Sequence, residues 1–404
     1  MHTRTLARDC SPDPFSPTRP SAACCGDVLS ELGTLALDSL RRSDQRAKGL
    51  QYVQGLLTAH GRKTIRNIAS AGGNDSAFEQ GLHHFVASST WDWMPVREAL
   101  AGYLDRVSAP RAWVVEPMPI PKAGVHSVGV DRRFVPQFGQ VVNNQMAFGL
   151  WFANENLSVP VDWRLYLPGA WLSDDDRRSR AEIPAEISQE SIEACAVATA
   201  LQHARQWGLS PRPVILDCRL TGPAVAVDRF SAAQVPFIVR IRPTELLAVA
   251  DPAMSGSGRR PVPAEQILNA ARRLRTPARW SDPADGRGKR HTTPVVTVGV
   301  TLPGLSPSRP LMLLGEWTTP DGPPAALWLT GLAAPAGMLL RLTRLTRRVS
   351  ADSDRIGGEV GLREFEGRSY QGWHRHITLA SLAHAAAVLT RTDRCTACGV
   401  CATC

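Results

Sequence analysis

Apolar residues that follow residue 27 recur at the three- and four-residue spacing of amphipathic α-helices. Leu29 and Leu32 share one such helical face, and Tyr52 and Leu56 share another. This periodicity predicts an all-helical domain, built of several short helices, over residues 28–108.

After Pro110 the helical period gives way to short apolar runs bounded by turn residues, which is the pattern of buried β-strands. Five strands are predicted, at residues 112–115, 126–130, 140–152, 214–216 and 237–241. A helix over residues 189–207 precedes the fourth strand. The resulting order β-β-β-α-β-α-β implies a mixed sheet with helices packed on it.

The remaining segments differ in composition. Residues 1–27 are rich in Pro, Ser and Thr and show no periodicity, which predicts a disordered segment. Residues 109–250 contain the five strands and form the first part of an α/β core. Residues 251–335 begin with a stretch rich in Arg, Pro and Gly, which predicts an exposed insertion with β-strands. A helical block over residues 336–392 completes the core, and residues 393–404 form a cysteine-rich tail.

Within the insertion, a short helix is predicted first, and three strand-like apolar runs follow it. The helix is expected over residues 264–274, and the strands over residues 293–302, 311–318 and 326–332.

Charge narrows the classes of partner. The formal net charge of +9 and the sequence pI of about 9.4 favour a polyanion, most simply nucleic acid. A basic surface without such a partner is the alternative. No run approaches the roughly 18 apolar residues that a membrane helix needs, and the N-terminus lacks the apolar region of a secretion signal. We therefore expect a cytoplasmic protein without a membrane partner.

Three separated stretches carry a family resemblance. They are WVVEPMPIPKAGVHSVGVDRRF, VILDCRLTG and GEVGLREFEGRSYQGWHRH, preceded by the helical segment from Leu40. In this order they resemble the first strands, the fourth strand and the C-terminal helices of DDE-type insertion-sequence transposases. The resemblance implies an α/β fold: a ribonuclease-H-like mixed sheet with flanking helices, a β-containing insertion and a helical N-terminal domain that binds DNA.

The same resemblance implies a site for metal-dependent DNA cleavage and strand transfer, in which three carboxylates hold Mg²⁺. It places the first acidic position at Glu116, the second at Asp217 and the third at Ser350. A neutral serine cannot replace the charge of a carboxylate on Mg²⁺. Asp354 lies one helical turn after Ser350 and is the candidate substitute.

These assignments predict a transposase-like DNA-binding protein whose DNA cleavage and strand transfer are impaired or lost. One alternative is an active metal-dependent transposase that uses Asp354 as its third carboxylate. Another is a transposase-derived protein recruited to a different role through its cysteine tail. Double-stranded DNA is the expected partner, and a homodimer is one expected assembly.

Arginines with helical spacing predict where DNA would be contacted. Arg341, Arg344, Arg347 and Arg348 would form one basic stripe on a helix, facing solvent or a polyanion. The alternative is a charged face that is solvated and binds no ligand. The full set of expected DNA-contacting residues is Arg62, Lys63, Lys122, Arg341, Arg344, Arg347, Arg348 and Arg368.

The cysteine tail has its own motif, with a cysteine at every third position. Its members are Cys395, Cys398, Cys401 and Cys404. The spacing resembles the opening of a bacterial ferredoxin motif, so an iron–sulfur cluster or zinc is a candidate ligand. A tail that binds nothing is the alternative. For His374 and His376, packing or a phosphate contact is favoured over a metal site, because no third ligand is evident nearby.

Overall fold

The structure is a computed structural model, and it describes residues 22–72, 76–209, 211–250, 260–285, 289–305, 310–319 and 321–397. Its helices are α1 (Ala22–Leu37), α2 (Ser43–Thr58), α3 (Ile65–Ser70), α4 (Ser76–Ala87), α5 (Met94–Val107), α6 (Gly169–Leu172), α7 (Asp175–Arg180), α8 (Ile192–Gln206), α9 (Ala224–Ala232), α10 (Ala264–Ala270), α11 (Ala336–Thr343), α12 (Leu345–Glu359) and α13 (Tyr370–Ala397). A short 3-10 helix spans Arg272–Leu274.

The strands of the described residues form one extended sheet. They are β1 (Ala112–Pro121), β2 (Asp131–Val135), β3 (Gln140–Ala153), β4 (Ser158–Leu165), β5 (Val214–Asp217), β6 (Phe237–Ile241), β7 (Leu246–Val249), β8 (Val262–Pro263), β9 (Thr276–Ser281), β10 (Arg290–Thr301), β11 (Leu311–Glu316) and β12 (Ala326–Thr330).

Helices α1, α2, α4 and α5 pack against the buried C-terminal helix α13, and α3 packs on α2 and α4. The hydroxyl of Tyr52 on α2 lies 2.9 Å from Nδ1 of His376 on α13, which links the two ends of the chain. Helix α1 begins at Ala22, so the disorder predicted for residues 1–27 is wrong for the last part of that segment, where Ala22 and Ala23 favour helix. No helix of the described part of the chain is long and apolar enough to cross a membrane.

The centre of the sheet has the predicted mixed topology. Strand β1 pairs antiparallel with β3, and β3 pairs antiparallel with β4. On its other side β1 pairs parallel with β5, and β5 pairs parallel with β6. Parallel neighbours require crossover connections, and helices α8 and α9 supply them. The predicted mixed sheet with flanking helices is therefore confirmed, but four strands rather than three precede α8.

The strands of the predicted insertion continue this sheet rather than forming a separate one. Strand β12 pairs antiparallel with β6, β11 with β12, and β10 with β11. The structure adds β7, β8 and β9, which the apolar pattern did not indicate, at the far side of β10. The edge of the core at β6 is thus covered by strands from residues 290–330.

Two strand predictions in the core need correction. Residues 126–130 form a turn, and β2 begins only at Asp131. Gly129 has a φ of 75°, and a Cβ there would lie 3.0 Å from the carbonyl oxygen of Tyr166, so the chain turns where only glycine fits. Strand β4 was not predicted because Pro160 and Asp162 interrupt its apolar run, although the strand is almost wholly buried.

The buried Asp162 is neutralised by an arginine from the helical domain. Nη1 of Arg97 on α5 lies 2.6 Å from Oδ1 of Asp162, and both side chains are at most 3% exposed. The same guanidinium donates to the Thr378 hydroxyl at 2.7 Å and to the carbonyl oxygen of Trp163 at 2.9 Å. One ionic cluster therefore joins α5, β4 and α13, which fixes the N-terminal helices against the sheet.

Candidate active site

Two of the predicted acidic residues lie on neighbouring strands. Strands β1 and β5 are parallel, with Val115 paired to Leu216, and Glu116 and Asp217 are the next residues on each strand. Parallel strands bring their carboxyl ends to the same edge of a sheet. The strand register therefore brings the two carboxylates side by side, and the charge of Asp217 acts on Glu116.

The third predicted position approaches this pair from a helix. Ser350 on α12 donates a hydrogen bond from its hydroxyl to Oε1 of Glu116 at 2.8 Å. The structure thus places residues 116 and 350 in direct contact, although they are far apart along the chain. A hydroxyl stands where the family resemblance calls for a carboxylate.

Glu116 is a perturbed acid. Burial raises the pKa of its carboxyl to about 7, while the hydrogen bond from Ser350 acts to lower it. The negative charges of Asp217 and Asp354 raise the pKa further, and Arg363 lowers it. A glutamate in this state exchanges its proton near neutral pH, so its charge is weaker than that of an ordinary metal ligand.

Asp217 is held by an arginine two residues further along the chain. Nε of Arg219 lies 3.0 Å from each carboxylate oxygen of Asp217, and Nη2 lies 2.7 Å from Oδ2. The backbone N–H of Arg219 also donates to Oδ1 at 3.0 Å. Both oxygens that would face a metal ion are therefore engaged by the protein's own cation.

Asp354, the candidate substitute, projects toward solvent. Its side chain is 80% exposed and lies 3.1 Å from Nη2 of Arg363. It remains close enough to influence the pKa of Glu116. Asp352, the other acid of this turn, is buried and accepts hydrogen bonds from Ser158 at 2.8 Å and from Arg348 at 2.7 Å.

The donor set does not fit a site for two divalent ions. Such a site needs several acidic oxygens directed at shared ions, whereas Glu116 is bonded to Ser350 and Asp217 is bonded to Arg219. Across the described ranges, no group of three or more His, Cys, Asp or Glu side chains is arranged to hold a metal ion. Three carboxylates, at residues 116, 217 and 354, each have a hydroxyl or guanidinium partner instead.

The predicted basic stripe is not a single solvent-facing surface. Helix α11 ends at Thr343 and α12 begins at Leu345, so the chain bends at Arg344. Arg344 is largely buried, pairs with Glu316 and lies over the ring of Trp280 at 4.2 Å.

The arginines near Arg344 on these two helices differ in how accessible they are to a ligand. Arg348 binds Asp352 and also the carbonyl oxygens of Asn156 and Pro283. Arg347 is half exposed and lies 3.2 Å from Asp282. Arg341 is exposed. The change of helix and the buried acids thus divert Arg344 and Arg348 into structural roles, and Arg341 and Arg347 keep an accessible face.

The other expected DNA contacts also divide by exposure. Lys63 is only 6% exposed, and its ammonium donates to the carbonyl oxygen of Ala59 at 2.5 Å. Lys122 is half-buried and donates to the carbonyl oxygen of Phe365 at 2.6 Å, and burial lowers its pKa to about 8. Arg62 is 71% exposed beside Glu366, and Arg368 is exposed.

The two histidines of the C-terminal block are buried, as the packing prediction expects. His374 stacks on Trp93 with ring centroids 4.7 Å apart, and burial lowers its pKa well below the ordinary value. Of the tail, Cys398, Cys401 and Cys404 lie outside the described residues, and so does the side chain of Cys395. The ligand prediction for these cysteines stays a prediction.

Sequence reasoning did not identify the arginines that neutralise the acidic residues. Arg219 follows Asp217 by two residues in the run Asp-Cys-Arg, a spacing that lets an arginine fold back on the carboxylate at the end of a strand. That local signal was available in the sequence. Arg363 reaches Asp354 from a loop nine residues away, and no local pattern marks that contact.

Comparison with known proteins identifies the family to which the chain belongs. A family model described as DDE superfamily endonuclease matches residues 36–300, well over half of the chain. The protein therefore belongs to the DDE superfamily endonucleases, as its resemblance to DDE-type transposases predicted. The matched range contains Glu116 and Asp217 and ends before Ser350.

Individual relatives are more distant. A probable transposase for insertion sequence element IS701, from Microchaete diplosiphon, is 28% identical over 127 residues, which are 31% of this chain and 33% of that protein. The match thus spans about a third of the relative's length. Among solved structures, a cryo-EM structure of the piggyBac transposase synaptic complex with hairpin DNA is similar at a TM-score of 0.40 and 9% identity, covering 94% of this chain and 77% of that one.

Proposed function

We propose that this protein is a transposase-like DNA-binding protein in which DNA cleavage and strand transfer are impaired or lost. The observation that carries the proposal is the hydrogen bond from Ser350 to Glu116 at 2.8 Å. At this point a third carboxylate would complete the acidic set of the family. A hydroxyl group supplies a hydrogen bond but no charge to balance divalent cations.

The electrostatics around the remaining acids support the loss of cleavage. Glu116 has a pKa of about 7, so it is partly neutral near physiological pH. The charge of Asp217 is offset by the guanidinium of Arg219. The negative potential that would attract and hold metal ions is therefore largely cancelled.

Retained DNA binding is supported by charge that is still accessible. The chain has a formal net charge of +9. Arg62, Arg341 and Arg368 are exposed, and Arg347 is half exposed beside its acid. Groups of this kind neutralise phosphates and make binding depend strongly on salt.

A cleavage assay on supercoiled plasmid tests the proposal. The wild-type protein and Asp217→Ala should both leave the plasmid intact in Mg²⁺ or Mn²⁺, while both shift a duplex in a gel assay. Ser350→Glu restores the third carboxylate and should give some nicking, which a Ser350→Glu/Asp217→Ala double variant should lack. Nicking by the wild-type protein that disappears in Asp217→Ala would overturn the proposal.

An active enzyme that uses Asp354 is the second candidate, and one observation favours it. Asp354 lies near enough to Glu116 for its charge to raise the pKa of that carboxyl. Under this alternative the wild-type protein nicks DNA and Asp354→Asn abolishes nicking. Asp354→Asn has a matched control in Asp228→Asn, which replaces an exposed acid on α9.

Other assignments stay predictions. A role for the four C-terminal cysteines would be seen as iron, sulfide or zinc in anaerobically purified protein that is lost when all four become serine. A homodimer would be seen by light scattering at the mass of two chains. A cytoplasmic location would be seen by fractionation of the source cells.

A further inference from the structure

A cavity of about 300 Å³ lies at the surface between three separated parts of the chain. Its walls come from the loop after β1, from helices α6 and α7, and from the segment that precedes α13. Its lining includes Arg177, Arg180, Arg368, His126 and Trp171, and contains no carboxylate. Three arginines thus line one opening with no acid in its wall.

Hydrogen bonds link the three segments that form the cavity, so its shape is fixed by the fold. The N–H of Val128 donates to the carbonyl oxygen of Arg368 at 3.3 Å, and the N–H of Tyr370 donates to that of Ala181 at 2.7 Å. The indole N–H of Trp171 donates to the carbonyl oxygen of Val130 at 2.9 Å. Each wall is therefore tied to a neighbouring wall.

The arginines are oriented by contacts that leave donors for a ligand. The guanidinium of Arg177 lies 5.1 Å from the ring centroid of Trp171, and its Nε lies 3.8 Å from Oδ2 of Asp174. Arg180 uses Nε to donate to the carbonyl oxygen of Asp176 at 3.1 Å. An arginine presents five N–H donors in a fixed fork that matches phosphate geometry. The Nη groups of Arg177 and Arg180 take no part in these contacts.

We propose that this cavity binds a phosphate group of the DNA backbone. The inference rests on the proposed DNA-binding function and assigns a place to one contact within it. Trp171 is almost wholly buried, so it offers no face on which a base could stack. Recognition is therefore of phosphate charge rather than of base sequence.

Strand β1 connects Glu116 to the loop that lines the cavity. It runs from Glu116 to Pro121 before that loop. At about 3.3 Å per strand residue these five steps span roughly 16 Å. Successive base pairs rise about 3.4 Å, so the same span corresponds to roughly five nucleotides.

The test is the salt dependence of DNA binding by the full-length protein. Arg180→Gln/Arg368→Gln and the triple variant that adds Arg177→Gln should each weaken binding, by about tenfold, and reduce the salt slope by about one. The loss should be equal for unrelated sequences. Arg229→Gln, an exposed arginine on α9 outside the cavity, is the matched control and should change neither quantity. Because Arg177 lies over Trp171, the double variant decides the result if the triple variant is unstable.

Each outcome separates the two proposals. If the wild-type protein fails to bind duplex DNA, the proposed function itself fails. If it binds but the double variant keeps the wild-type affinity and salt slope, the cavity is no DNA contact. Calorimetry with inorganic phosphate tests whether the cavity binds a free phosphate ion instead. If the wild-type protein binds phosphate tightly, and the double variant loses this binding but keeps the wild-type affinity for DNA, the cavity is a site for free phosphate and the DNA contact is overturned.

Discussion

Arg219 holds both carboxylate oxygens of Asp217, with Nε 3.0 Å from Oδ1 and Nη2 2.7 Å from Oδ2. This pair lies beside the hydrogen bond between Ser350 and Glu116. The two contacts together mean that the strand-borne acids of the site are each satisfied by the protein itself.

The first prediction is that Ser350→Glu alone restores part of the metal affinity, and that removing the Arg219 contact as well restores more. Arg219→Ala/Ser350→Glu frees Asp217 and adds a third carboxylate, so it should bind Mn²⁺ about tenfold or more tightly than either single variant, as measured by calorimetry. The matched control is Arg229→Ala/Ser350→Glu, which should behave as Ser350→Glu alone. Equal affinity in the two double variants would show that Arg219 does not compete with metal.

The second prediction concerns pH. The pKa of Glu116 rises from 4.5 to about 7 in the folded protein, so folding favours the protonated carboxyl. Its contribution to stability is full below about pH 4.5 and is lost as pH rises through 7. Glu116→Gln cannot ionise, so relative to the wild-type protein it should gain stability with rising pH. Each pKa unit is worth about 1.4 kcal/mol, so the rise from 4.5 to about 7 corresponds to a gain of about 3 kcal/mol.

Urea unfolding of both proteins across this pH range measures the effect. Glu155→Gln, an exposed glutamate beside Arg111, is the control and should show no such trend. A stability difference between Glu116→Gln and the wild-type protein that stays constant with pH would contradict an elevated pKa.

The third prediction concerns the buried ionic cluster. Asp162→Asn removes the charge that neutralises Arg97 and should lower the free energy of unfolding by about 3 kcal/mol or more. Arg97→Met/Asp162→Leu removes both charges and should recover much of that loss, because neither residue is then a buried unpaired ion. Denaturant unfolding measures both variants. A double variant that is less stable than Asp162→Asn would show that the pair stabilises the fold on balance.

The fourth prediction separates two adjacent basic residues. Lys63→Met removes the ammonium that bonds the Ala59 carbonyl at the end of α2, so stability should fall by about 1 kcal/mol with DNA affinity unchanged. Arg62→Gln removes an exposed charge, so it should weaken DNA binding and lower the salt slope by about one without a stability cost. Gel shift and thermal unfolding of both variants provide the measurements. Weaker DNA binding by a stable Lys63→Met would contradict the buried role.

Much of the central sheet could be predicted from sequence because its strands are short apolar runs. Val214 to Leu216 and Phe237 to Ile241 were predicted within one residue of their observed ends. Strand β4 was missed because its polar members are buried with partners that come from elsewhere in the chain: Asp162 with Arg97, and Ser158 with Asp352. Such partners can be found only in three dimensions.

The candidate site was also predictable in part from the sequence. The family resemblance located Glu116, Asp217 and Ser350, and the structure places the hydroxyl of Ser350 against Glu116. The state of the basic residues was not predictable, because helical spacing alone cannot tell an exposed arginine from one paired to an acid. Arg344 illustrates this, because its carboxylate partner, Glu316, lies on β11, far from it along the chain.

Strand β6 would have one unpaired edge if β12 were not paired with it. Its residues Phe237 to Ile241 are mostly buried, and an unpaired apolar edge is a template for intermolecular pairing. Deleting residues 251–335 would therefore expose the unpaired edge of β6, next to the strand that ends in Asp217. We therefore expect residues 251–335 to protect the edge of β6 from pairing with a second molecule.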